Sequence, residues 1–162
     1  MTLLTDLVTM LRQEVELYRR MLTLVRRERG RIVKGELAGL VEIVQQKEFL
    51  SRDLERVHVS RSSVLNRLAA ALEGEGATLT LARAAQIAPG ETGEILSGLL
   101  QEFRSLVGLL VAANDINRTL LDRSLECIQG SLDLFHSVSG APTYGAGGRL
   151  AASPVAVLSQ TV

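Results

Sequence analysis

The sequence predicts an all-α fold: a long antiparallel helical hairpin or coiled-coil bundle of three main helices, followed by a flexible C-terminal tail. Three observations predict it. Apolar residues recur at alternating steps of four and three over long stretches, which is the seam of a heptad repeat. The apolar content, 46% of the 162 residues, is aliphatic, with only 3% aromatic residues and no tryptophan. Leu, Val, Ile and Ala at helical spacing suit helix packing better than a sheet or a bulky core. Glycine-rich and Pro–Gly breaks at Gly35, at Gly74 and Gly76, and at Pro89–Gly90 cut the pattern into helix-sized pieces. A single helical bundle domain is expected over residues 1–137, with the tail over 138–162.

The first helix is expected over residues 2–34. Its seam is Leu4, Val8, Leu11, Val15, Tyr18, Leu22 and Val25, and arginines crowd its last turns, where the helix dipole favours cations. Gly35 interrupts the pattern, and the second helix is expected over 36–73. A short connection there favours an antiparallel hairpin over a bend, although periodicity alone leaves both open. The second seam runs Leu37, Leu40, Val44, Lys47, Leu50, Leu54, Val57, Arg61, Leu65, Leu68 and Leu72. Lys47 and Arg61 can lay their stems along apolar surface while their charges reach water or a carboxylate.

A short helix can form over 78–88 before Pro89–Gly90 ends it. Thr92 is a suitable N-cap for the third main helix, expected over 92–137, with Glu91 and Glu94 placed well for the dipole. This helix carries more apolar surface than one stripe needs. One stripe is Leu96, Leu99, Phe103, Leu106, Leu110, Ala113, Asn117 and Leu120; beside it lie Leu100, Val107, Leu109, Val111, Leu121, Leu125, Ile128, Leu132 and Phe135. The first segment, to Lys34, has 8 basic and 4 acidic residues, and residues 91–137 have 3 basic and 7 acidic, so the two suit one another as neighbours. From Val138 onward Gly, Pro, Ala and Ser dominate, which predicts the tail.

Composition narrows the function. Basic and acidic residues number 18 each, a formal net charge of zero, which argues against nucleic acid as the main partner. The one cysteine, Cys127, excludes an internal disulfide framework and fits a reducing compartment. No signal-peptide pattern opens the chain, and no window nears ~18 uninterrupted apolar residues, so no membrane insertion is expected and the expected location is the cytoplasm.

No catalytic constellation is evident, and no cofactor or metal is expected. His58 and His136 lie on different helices. Asp133 and His136, one turn apart, can share a hydrogen bond, but a metal site needs more ligands on facing positions. Cys127 in an apolar helix reads as a small buried hydrophobe before it reads as a nucleophile. Gly145, Gly147 and Gly148 follow no strand and open no helix, so they form no phosphate loop. Asn114 and Asn117 interrupt the apolar run of the third helix. They satisfy each other or fix helix register, as a buried Asn does in coiled coils, or they contact a partner.

The order of these features resembles the FlgN family of flagellar export chaperones. In the first helix the resemblance rests on Leu11, Glu14 and Tyr18 to Leu22. In the second it rests on Leu37, Leu40, Lys47-Glu48 with Leu50, Leu54-Glu55, and Arg61 with Val64-Leu65. In the third, Asn114, Asn117 and Leu120-Leu121 look like the family's paired asparagines, and Thr143-Tyr144-Gly145-Ala146 looks like its Tyr-Gly motif. The segment Gly74–Gly93 and the tail after Arg149 depart from the pattern.

The resemblance implies a non-enzymatic cytoplasmic chaperone of the flagellar type III export system. It would bind the C-terminal helical ends of the hook–filament junction proteins FlgK and FlgL, prevent their early assembly and deliver them to the export gate protein FlhA. Tyr144 would be the gate-docking residue. The residues themselves add a candidate client surface on the third helix: Leu121, Leu125, Ile128, Leu132 and Phe135. The same residues could instead be covered by the first two helices or by a homodimer formed without client. A clientless coiled-coil scaffold or self-assembling bundle is the alternative function.

Overall fold

A computed structural model describes residues 2–74 and 77–138. Four helices and no strand occur among them: α1 (Thr2–Lys34), α2 (Leu37–Glu73), α3 (Leu81–Ile87) and α4 (Gly90–Val138). The chain divides into two compact units, Met1–Leu120 and Leu121–Val162, and α4 contributes residues to both.

The first unit is organised on α1, which buries two stripes rather than one. Val15, Leu22 and Val25 pack with Leu106 and Ala113 of α4. Leu17, Met21 and Leu24 pack with Ile43, Leu50 and Val57 of α2. The expected heptad seam is thus the face turned to α4, joined by the partly buried Tyr18, whose ring meets Phe103 edge-on at 5.2 Å. The second stripe, offset by one step, was hidden inside the same aliphatic run.

Gly35 stops α1 with a Schellman turn. Its φ is +66°, its N–H donates to Ile32 O at 3.1 Å, and the Glu36 N–H donates to Arg31 O at 3.0 Å. Arg31 and Glu36, where such turns commonly place an apolar contact, form an ion pair instead. Beyond this turn α2 comes back along α1. Glu28 pairs with Lys47 and Glu14 with Arg61, so residue numbers fall on one helix as they rise on the other. Along α4 they rise together: Arg19 pairs with Glu102, and Arg29 donates to Asn117 at 3.2 Å.

The connection between α2 and α4 closes one end of this packing. Thr80 caps α3, its hydroxyl accepting the Arg83 N–H at 3.2 Å, so the helix starts later than Thr78 and is shorter than 78–88. Small alanines let it sit close: Ala84, Ala85 and Ala88 join Leu7, Leu11, Leu65, Leu68 and Leu96 in one core cluster. Thr92 does not cap α4, because the helix already begins at Gly90, immediately after Pro89. Proline fixes the entry, and Gly90 at φ +52° makes the turn into the helix.

The expectation about membrane-sized segments needs correction. Among the described residues α4, over Gly90–Ser137, is long and apolar enough by length and composition to cross a membrane. Counting only uninterrupted apolar runs missed it, because a few polar residues such as Gln101, Glu102 and Arg104 break the run while the average stays apolar. Part of that length is core: Leu96, Leu106 and Ala113 are buried in the first unit.

Candidate functional site

Residues 121–137 of α4 are helical and exposed at every position. Their hydroxyls turn back onto the helix, with Ser131 Oγ donating to Cys127 O and Ser137 Oγ to Leu134 O, each at 2.8 Å. The five apolar residues singled out in the sequence lie here. Leu121 is 42% exposed, Leu125 57%, Ile128 56%, Leu132 52% and Phe135 70%. Their steps of four, three, four and three put them on one face, a stripe about 21 Å long at 1.5 Å per residue. A stripe of this form is shaped for another helix. Cys127 on the same segment is exposed, which corrects the expectation of a buried small hydrophobe. Asp133 and His136 share no hydrogen bond in the structure.

The two asparagines separate. Asn117 is 3% exposed and fully engaged: its Nδ2 donates to Val25 O at 2.8 Å and to Glu28 Oε2 at 3.0 Å, and its Oδ1 accepts from Arg29 Nε at 3.2 Å. Asn114, by contrast, is exposed and makes no side-chain hydrogen bond among the described residues. They do not satisfy one another. Tyr144 and the Tyr-Gly motif lie outside the described residues.

Two buried polar layers accompany Asn117. In one, Lys47 Nζ holds both Glu28 oxygens at 3.1 and 2.9 Å, which ties α2 to the carboxylate that also receives Asn117 of α4. In the other, Glu14 is 2% exposed and meets Arg61 Nε at 2.6 Å. The Nε–H is not aimed at that oxygen, so this contact is ionic, and the directed bond is Arg61 Nη2 to Glu14 Oε1 at 3.3 Å. His58 Nδ1 lies 2.9 Å from the same Arg61 Nη2. Tyr18 stands beside this layer, and its phenol pKa is raised above 10.0 by burial first and by the Glu14 charge second, with Arg61 opposing.

Lys47 and Arg61 thus found carboxylates, as their seam positions suggested. Of their partners, Glu14 stood out in the sequence only as part of the family resemblance, and Glu28 did not stand out at all. The available signal was a carboxylate at helical spacing inside an apolar stripe: Glu14 follows Leu7 and Leu11 and precedes Leu17 and Met21. Among the described residues no group of three or more His, Cys, Asp or Glu stands together where a metal could be held.

The family model described as FlgN protein matches residues 1–152 of the chain. The chain belongs to the FlgN family. No curated protein and no solved structure matches it. FlgN proteins are flagellar export chaperones, which as a class bind export substrates and are not an enzyme family.

Proposed function

We propose that this chain is a cytoplasmic type III flagellar export chaperone that holds the C-terminal helical ends of FlgK and FlgL on the Leu121, Leu125, Ile128, Leu132 and Phe135 face of α4. The observation that carries the reading is the exposure of that whole heptad stripe. A client end that is disordered alone folds as an amphipathic helix when it can bury its apolar side on such a stripe. Covered in this way it cannot pair early with other axial proteins. Tyr144 then serves as the handle for FlhA, so holding and delivery use different residues. Catalysis has no part in this, and any ATP use belongs to the export apparatus.

The test is direct. A peptide from the C-terminal end of FlgK or FlgL, titrated with the full chain, gains helicity by circular dichroism. Leu125→Ala with Leu132→Ala weakens binding roughly tenfold or more while the thermal midpoint stays put, since neither leucine is core. Unchanged affinity in that variant sinks the assignment of the face. Tyr144→Ala keeps client binding and loses export; normal export by that variant ends the docking role.

A second reading is favoured by the same stripe: without client, two copies cover it by pairing with each other, or the chain is a scaffold with no client. Sedimentation that finds only monomer at high concentration excludes both.

A further inference from the structure

A second groove lies on the first unit and shares no residue with the proposed client face. Two clefts between α1 and α2, of about 410 and 350 Å³, adjoin at Arg27 and Gln46, which line both, and make a two-lobed channel. Its α1 wall carries Arg20, Arg27, Arg31 and Lys34. Leu24 and Leu50 form part of the floor, and Phe49, 65% exposed, stands on the opposite rim.

The cations on that wall are largely unclaimed. Arg31 is taken by Glu36, but Arg20, Arg27 and Lys34 have no ion-pair partner among the described residues. The acids on the α2 side are occupied: Asp53 is held by Arg56 at 2.7 Å, and Glu42 accepts from Gln46 at 3.2 Å. The three free cations are spaced by seven residues, so their charges repeat about every 10.5 Å along one line. Gly30 lines the same channel, and a Cβ there would meet nothing within 4 Å, so a side chain can be added at that point without a clash.

We propose that this channel binds an acidic amphipathic helix of a partner protein, whose apolar stripe rests on Phe49 and the Leu24–Leu50 floor and whose carboxylates, repeated every seventh residue, meet Arg20, Arg27 and Lys34. The regular charge spacing selects a helix, since the side chains of a helix return to one flank at that interval. The exposed ring selects an apolar stripe beside the charges. Nucleic acid fits less well, because the chain has a formal net charge of zero and the cations stand in single file beside an apolar floor rather than in a broad basic patch. The inference does not depend on the client reading, which uses other residues.

The experiment uses the full chain and a fluorescein-labelled, three-heptad synthetic peptide with Leu at the a and d positions and Glu along one flank. Fluorescence anisotropy finds binding that weakens as salt rises. A peptide with Lys in place of each Glu binds roughly tenfold or more weaker, as does the Glu peptide on Arg20→Glu with Arg27→Glu. Gly30→Leu keeps the fold, because it adds helix propensity in open space, yet it fills the channel and abolishes binding. Every titration is made in the Leu125→Ala with Leu132→Ala background, so that the proposed client stripe of α4 takes no share of the peptide. The proposal is overturned if Gly30→Leu binds like the parent, if the Lys peptide binds equally well, or if a single-stranded oligonucleotide outcompetes the Glu peptide.

Discussion

At the scale of single residues, the buried charges decide more than the aliphatic ones. Glu14 and Arg61 have each been taken out of water, and each is tolerable only because the other is there. Arg61→Leu strands the carboxylate and costs about 3 to 5 kcal/mol in urea unfolding, whereas Glu14→Leu with Arg61→Leu together returns to within roughly 1 kcal/mol of the parent. A double variant as unstable as the single one would mean the site tolerates no apolar pair. Asn117→Ala leaves Val25 O and Arg29 without their partner and costs about 1 to 3 kcal/mol, read by the same unfolding. Tyr18 adds a pH dependence. Its folded pKa is above the unfolded value of 10.0, so it costs no stability below that pH. As pH rises past 10.0 the unfolded chain ionises first and stability falls, and Tyr18→Phe removes that part of the fall. Unfolding midpoints across the alkaline range, compared between parent and variant, measure it.

At the scale of elements, the glycines sort by what surrounds them. A Cβ on Gly93 would stand 2.6 Å from Ala88 O and 3.1 Å from Ala85 O, both backbone, so Gly93→Ala forces α3 and α4 apart. Gly108, in the same helix, has nothing within 4 Å, and Gly108→Ala stabilises by about 0.5 to 1 kcal/mol through helix propensity alone. Thermal midpoints of the two variants should therefore move in opposite directions. The sequence pointed to a first helix at about residues 2–34 and to a break after it, because Gly35 and an unbroken seam are strong local signals. It missed the second stripe of α1, since a helix packed on two sides reads as one broad apolar band. It misplaced the start of α4, because Thr92 is a good cap in isolation while Pro89 fixes the chain three residues earlier. The candidate face on α4 was legible as surplus, but which apolar residues are core depends on what packs there. Leu106 and Leu109 look alike in the sequence; one is buried and the other 48% exposed.

At the scale of the whole molecule, the residues of the buried polar layers are not those of the candidate binding surfaces, although Leu24 and Leu50 serve both the core and the channel floor. The layers around Glu14, Glu28 and Asn117 hold α1, α2 and α4 together, while the α4 stripe and the basic channel face outward. Variants on the outward surfaces should therefore change binding and leave unfolding nearly unchanged, and variants in the layers should do the reverse. The spacing of those layers has a further consequence. Glu14 and Glu28 are fourteen residues apart on α1, and Lys47 and Arg61 are fourteen apart on α2. Insertions or deletions between the two layers must therefore come in matched lengths on both helices, or one buried charge loses its mate. Between Glu28 and Lys47, across the Gly35 turn, the two arms can lengthen together without disturbing either pair. Chains of this kind can thus differ in hairpin length freely at the turn and only in coupled steps along the arms.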